Sequence, residues 1–432
     1  MNELYFQALN SSLKQAGIHY PSLIIDKQRL DQNIDHLLQI INQGYHYRIV
    51  AKSLPSIPLI RYIMRRTGSN RLMSFHLPFL IGLIQQIPEA DILLGKPMPI
   101  SAVQAFYHWK QNTLSSFDDR QQLQWLVDSF ERLQEYQDFA QRHGLRLQIN
   151  LEINVGLNRG GFSDPEAFKQ ALLLLQNSDH LTFSGLMGYE AHITKMPAFL
   201  GGSEKAFRHA MYCYQQRLDQ VKAVFGEARL QHLCLNGAGS STYPLYDKQT
   251  KYDKNTSPVI NEIASASALV KPTDFDAFTL THHTPACFIA APVLKDVSAP
   301  EIPLAPRLTR ALQFFGKAPK QGVFIYGGNW LAQPCYPPGC YQSSLFGHSS
   351  NQEFYEVPAN SLIQRDDFLF FRPHQSEAVF LQFGDLLLLD DGQIKHRWPV
   401  FQYPTDYLPE AASLPETSAQ LISNIKPSQK VQ

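Results

Sequence analysis

Cysteine is scarce, with five residues (Cys213, Cys234, Cys287, Cys335 and Cys340) in a chain of 432. They are too few and too scattered for a disulfide framework. Their odd number leaves at least one thiol unpaired within the chain, so reduced thiols are expected. Net charge is absent too, because 38 Lys and Arg balance 38 Asp and Glu. This argues against a nucleic-acid binder dominated by phosphate contacts and against an anionic-membrane binder, but leaves room for a local basic pocket. No apolar run reaches the ~18 residues of a membrane span. The longest, such as 386–389, are strand-sized. The opening MNELYFQALNSSLKQ has no basic stretch followed by an apolar one, so no signal peptide is read there. A cytoplasmic location is the resulting expectation.

Hydrophobic residues make up 44% and charged residues 18%, enough for a large core and against wholesale disorder. At ~150 residues per domain the length suggests roughly three domains, but α/β barrels run to about 250 residues as one unit, so two fit equally well. From about 20 to 285, β-type runs alternate with amphipathic helical runs. In the clearest helix Asp26 is an N-cap candidate, Leu30, Ile34, Leu37, Leu38 and Ile41 recur at helical spacing, and Gly44 follows as a stop. Pro55 and Pro58 open another helix that ends near Gly68.

Strands are predicted at 47–51, 71–75, 91–94, 124–127, 147–153, 183–187, 231–235 and 259–264, with helices such as 130–142, 165–175 and 204–225 between them. Eight parallel strands with crossover helices close into a (β/α)8 TIM-type barrel; a doubly wound open sheet is the alternative. Both put a site at the carboxyl ends of the strands. After about 285 helical periodicity fades and Pro, Gly and aromatics rise. Strand-like runs at 322–326, 368–371, 378–383 and 385–389, with a turn at Asp391-Gly392, predict an all-β C-terminal domain over 286–406, joined by 1–19. A polar tail is expected over 407–432.

Five features fall at predicted strand ends. Lys52 follows an apolar strand in RIVAKSLPS. A lysine held against apolar groups there could attack a carbonyl to form a Schiff base; the plainer reading is a lysine snorkelling out of the barrel mouth. The segment LNGAGSSTY, 235–243, offers backbone N–H groups and the Ser240 and Ser241 hydroxyls to a phosphate, with Gly237 and Gly239 allowing close approach; otherwise it is a turn. In INVGLNRGGF, Arg159 could clamp a carboxylate or phosphate, or sit on the surface. In GLMGYEAHI, Tyr189 and His192 could stack on an aromatic ring or move protons. In NEIASAS, Glu262 lies within the last barrel strand, where a buried carboxylate needs a partner. Schiff-base lysine, phosphate loop and carboxylate clamp together describe pyridoxal 5′-phosphate. A cofactor-free barrel hydrolase would need a carboxylate pair, and Glu190 and Glu262 do not form an obvious one. His282-His283 reads as a turn after the barrel.

The order of these motifs, followed by a β domain, resembles the fold-type III pyridoxal-phosphate enzymes from about Pro21 to Pro404. The likeness is greatest to the branch of D-threonine aldolase, eukaryotic-type D-serine dehydratase and related deaminases; alanine racemase is a more distant member. The resemblance implies that Lys52 holds the cofactor and can act as a base at Cα. It implies that Gly237, Gly239, Ser240 and Ser241 bind the phosphate, that Arg159 and Tyr189 lie near cofactor or substrate, and that Glu262 partners the pyridine nitrogen. It further implies a homodimer acting on a small amino acid, taken as the D enantiomer, as an aldolase or a dehydratase/deaminase lyase. One alternative is a racemase with a second base, Tyr336 or Tyr341 by position, from the other subunit's β domain. Another is a non-catalytic pyridoxal-phosphate-binding homeostasis protein. The chain departs from its relatives in the metal motif. They carry a His-x-Cys pair near the C-terminus; KHRWPVF keeps His396 but has Trp398 for the cysteine, whose indole cannot ligate through N–H. Cys335 and Cys340 have no second ligand pair nearby. The expectation is metal-free chemistry at Cα.

Overall fold

A computed structural model describes residues 3–249, 258–298, 300–301, 304–315, 321–344 and 346–403. The tail expected over 407–432 lies outside them. The chain opens with a helix, Glu3–Gln15, and a fully buried strand, β1 (Ser22–Asp26). Asp26 ends that strand and caps the next helix, Lys27–Ile41, by accepting from the Arg29 N–H. Leu30, Ile34, Leu37 and Ile41 form that helix's buried face.

Eight strands follow: β2 (His46–Val50), β3 (Arg71–Ser74), β4 (Asp91–Leu94), β5 (Leu123–Val127), β6 (Leu147–Ile153), β7 (Leu181–Gly188), β8 (Cys234–Gly237) and β9 (Glu262–Ser265). Each pairs in parallel with the next, and β9 closes on β2 through His46 opposite Glu262 and Ile49 opposite Ser265. The sheet is therefore a closed barrel, not an open doubly wound one. Helices Ile57–Thr67, Phe130–Arg142, Pro165–Asn177 and Gly202–Phe225 are among those that cover it. The first stops at Gly68, whose φ of 69° is the left-handed value a helix C-cap takes up.

The second sheet contains β10 (Cys287–Ser298), β11 (Gln321–Ile325), β12 (Ala332–Tyr336), β13 (Tyr341–Gln342), β14 (Phe354–Glu356), β15 (Phe368–Pro373), β16 (Leu386–Asp390) and β17 (Gln393–Trp398). Its ninth strand is β1, which runs between β10 and β16. Segment 20–26, grouped with the barrel on sequence order, thus belongs to the second sheet. The helix Glu3–Gln15 packs Phe6, Leu9 and Leu13 onto this sheet, against Ile24, Phe288, Phe370 and Leu387, as a separate small core. A bulge between Val293 and Lys295 lets β10 pair with β1 and β15 at one end and β11 at the other.

One predicted strand is absent. Over 378–383 the chain instead makes a single helical turn, Ser376–Val379, and a bend. Short apolar runs do not distinguish the two conformations by pattern alone. The turn matters because it carries the second domain to the barrel mouth. Among the described residues, no helix is long and apolar enough to cross a membrane.

Candidate active site

The barrel interior is layered, because alternate residues of each strand point inward. The lower layer is charged. Arg48 and Glu262 are both fully buried and paired at 2.5 Å, and Arg71 binds the other carboxylate oxygen. Asn236 Nδ2 and Cys234 Sγ also donate to Glu262. Burial alone would raise the Glu262 carboxyl; Arg48 and then Arg71 outweigh it and hold it at about 2. A carboxylate taken out of water needs such partners.

Above this layer the strand ends open into a cleft with about 750 Å³ of empty space, open solvent included. Val50, Ala264 and Asn236 form part of its lower wall. Lys52 enters it from the tight turn Ala51–Ser53 after β2. Its Nζ lies 4.8 Å from the Phe75 ring centroid and 3.5 Å from Glu377 Oε1. Gly95 keeps this side open: a Cβ there would sit 2.2 Å from Phe75 Cζ.

Opposite, the loop after β8 brings Ala238, Gly239, Ser240 and Ser241 to the cleft. Ala238 takes a φ of 67°, which turns the loop inward. Among the described residues none accepts from the N–H groups of Gly239, Ser240 or Ser241. Such a row of donors fits an anionic oxygen cluster such as a phosphate. Glu190, wholly buried, anchors the back of this loop by accepting from Thr242 Oγ1 at 3.1 Å and Tyr246 OH at 3.0 Å, and from the Ala238 N–H. Burial pushes its carboxyl up to about 7.

Arg159 and Tyr189 complete the rim, with the Arg159 guanidinium 4.7 Å from the Tyr189 ring centroid. The Arg159 loop is shaped by Asn154, which accepts from the Gly156 and Asn158 N–H groups and donates to Asn158 Oδ1 and Ser163 Oγ. Burial raises the Tyr189 hydroxyl.

The structure thus brings Lys52, Arg159, Tyr189, Gly239, Ser240 and Ser241 together, and leaves Gly237 and Glu262 out. Gly237 faces Ile260 and Tyr246 instead. Glu262 lies a layer below, fully engaged by Arg48, Arg71 and Asn236, so the expected contact with a ring nitrogen is corrected to a place in the floor. His192 faces Gly156 and His209 and does not line the cleft. His396 lies exposed on β17 and Trp398 packs near Tyr62, both away from the cleft. Tyr336 stacks on Phe6 and Tyr341 bonds Glu356; within one chain neither lines the cleft. His283 does more than turn the chain, because its Nε2 meets the buried Tyr243 hydroxyl at 2.6 Å.

Several cleft residues escaped the sequence reading, four polar ones among them. Asn236, Ser265 and Ser267 stand inside quoted motifs, and only their neighbours drew attention. Glu377 comes from the second domain and carries no local signal. Among the described residues no three His, Cys, Asp or Glu converge as metal ligands, and no step below is routed through a metal.

The family model described as alanine racemase, N-terminal domain, matches residues 25–254, just over half of the chain. A search of curated proteins finds no match. Among solved structures, D-threonine aldolase from Filomicrobium marinum is similar at 16% identity and a TM-score of 0.67, over 89% of this chain and 95% of that one. D-threo-3-hydroxyaspartate dehydratase from Delftia sp. HT23 is similar at 14% identity and a TM-score of 0.64, over 89% and 98%. Alanine racemase from Clostridium difficile 630 is similar at 11% identity and 0.60, over 88% and 98%. At these identities the likeness is one of fold: a barrel followed by a β domain. With the family model spanning β1 to the loop after β8, the chain belongs to the alanine racemase N-terminal domain family, and so to the fold-type III pyridoxal-phosphate group.

Proposed function

We propose that this chain is a pyridoxal-phosphate-dependent enzyme acting at Cα of a small amino acid, of D configuration, as an aldolase or a dehydratase/deaminase lyase. The observation that carries this is the meeting, in one cleft, of the Lys52 amine with the uncommitted N–H groups of Gly239, Ser240 and Ser241. These residues fit the cofactor: Lys52 would hold it as a Schiff base, and the loop its phosphate. Bound there, the cofactor would act as an electron sink for charge developing at Cα. Arg159 supplies a fork of donors suited to the substrate carboxylate. The Tyr189 ring, fixed under Arg159, would pack beside the cofactor. Phe75 and Phe275 add apolar surface to the lining of the cleft.

The relatives named above act on D-threonine, D-threo-3-hydroxyaspartate and alanine by their own names, and they set the panel to be tested. Racemisation remains the second reading, and it requires a base on the other face of Cα supplied by a partner subunit. A homodimer and a cytoplasmic location belong to the same proposal.

The test is an absorption spectrum of the purified protein with added pyridoxal phosphate, for wild type and Lys52→Ala, followed by borohydride reduction. A visible band that reduction fixes in wild type, and that is missing in the variant, is the expected result. Product analysis with D-threonine, D-serine and both alanine enantiomers then separates cleavage, elimination and racemisation. A band without turnover on a wide amino-acid panel would instead favour a storage or delivery protein.

A further inference from the structure

We infer that Glu377 is a further catalytic residue, the proton acceptor for the ammonium group of the amino-acid substrate; the inference rests on the reading of the cleft as a pyridoxal-phosphate site. Glu377 is carried by the helical turn Ser376–Val379, which reaches the barrel mouth from the second domain. Ser376 is buried and its hydroxyl meets Ser267 Oγ at 3.3 Å, and Val379 is fully buried, so the turn is seated at both ends. The Glu377 side chain is 31% exposed, lines the cleft, and places Oε1 3.5 Å from Lys52 Nζ. The groups facing it are Lys52 from the barrel and the Arg159–Tyr189 pair across the cleft. On its own element, His374 is engaged by Thr273 Oγ1 at 2.7 Å and Gln375 by Asp274.

An amino acid arrives as an ammonium ion, and a protonated nitrogen has no lone pair with which to take the place of Lys52. For a Schiff base on Lys52 to be exchanged for one on the substrate, the substrate nitrogen would give up its three N–H bonds and Nζ would gain three. Glu377 stands where these exchanges would occur and would carry the protons one at a time. In each relay one N–H bond of the substrate breaks as an O–H bond forms on Glu377, and that O–H bond breaks as an N–H bond forms on Lys52. After three relays a carboxylate again stands beside the Lys52 ammonium, charge is conserved, and no other reactant is needed. A surface ion pair that merely docked the two domains would not be expected at the one lysine that lines the cleft.

The test uses full-length wild type, Glu377→Gln and Glu377→Asp, each loaded with pyridoxal phosphate. The lysine-bound band and its borohydride-fixed mass tag on Lys52 are recorded first. The rate at which D-serine, D-threonine or D-alanine displaces that band is then followed by stopped flow across pH. Glu377→Gln is expected to keep the band and the tag, and to slow displacement about 100-fold at neutral pH, the lower range for loss of a general base. The gap should close as pH rises towards the substrate amine's own titration, where no acceptor is needed. Glu377→Asp should recover part of the rate. Displacement as fast as wild type, a slowdown equal at every pH, or no displacement in any of the three proteins would overturn the role of Glu377. Absence of the band in wild type would instead overturn the cofactor reading itself.

Discussion

Replacing Glu190 by Gln should make the protein's stability less sensitive to alkaline pH, and the size of the effect follows from the burial of that side chain. Its carboxyl is raised from 4.5 to about 7, mainly because ionisation of a fully buried group is costly, although Tyr246 and Thr242 hydroxyls and the Ala238 N–H partly compensate. Well below the ordinary carboxylate range both folded and unfolded chains are protonated here, and Glu190 has no pH-dependent effect. Between there and about 7 the unfolded chain releases its proton while the folded one keeps it, so stability falls as pH rises. Above about 7 the whole penalty is present, about 3 kcal/mol for this displacement. Glutamine accepts the same hydrogen bonds and does not titrate. Urea unfolding of wild type and Glu190→Gln at pH 4.5 and pH 8.5, conditions chosen to bracket the window, should show the variant gaining on wild type by about 3 kcal/mol across it. Parallel pH dependences would refute the reasoning, and a variant that loses ground at alkaline pH would mean that the ionised carboxylate is what holds the loop after β8.

Three further outcomes are expected. Glu262→Gln removes one of the two carboxylates that pair with fully buried Arg48, leaving Asp91 at 2.8 Å, and should cost about 3 kcal/mol in urea unfolding, yet leave the cofactor band where it was; a shifted band would return Glu262 to the ring. Gly95→Ala forces a methyl against Phe75 and Met73, an overpacking worth about 1–3 kcal/mol, and should weaken cofactor uptake in an absorbance titration; unchanged uptake would mean that Phe75 swings clear of the cleft. Phe6→Ala empties the centre of the small second core and should destabilise it by about 3–5 kcal/mol; a thermal melt indistinguishable from wild type would deny that the helix Glu3–Gln15 is integral to the sheet.

The barrel was legible because its strands are short, largely apolar runs and most of the connections between them carry an amphipathic helix. Lys52 and the Gly239–Ser241 loop were legible because they directly follow such runs. Glu262 was misread for a physical reason. Its partner Arg48 lies 214 positions away, at the start of the very motif that contains Lys52, and only barrel closure puts β9 beside β2. Glu377 was invisible for a similar reason, since its segment has the apolar density of a strand and nothing local marks the residue as facing the barrel. The strands of the second sheet were read in part. The twelve-residue β10 and the largely exposed β17 were missed, the latter because Gln393–Trp398 lacks the alternation that burial on one face imposes.

The placing of β1 has a consequence for the order in which the molecule assembles. Ser22–Asp26 is synthesised before its neighbours β10 and β16, which follow hundreds of residues later. During synthesis, at roughly 5–20 residues per second, the barrel strands can close while this segment still lacks its sheet. A strand that is buried along its whole length in the fold but still lacks its neighbours invites mispairing, and long-range pairings of this kind form slowly. The helix Glu3–Gln15 and the cap at Asp26 give the segment temporary cover. Once β16 docks, β1 and β16, far apart in sequence, are locked into one sheet. The turn bearing Glu377, encoded between β15 and β16, is then pressed onto the barrel mouth, so that completing the fold and completing the site become a single late event.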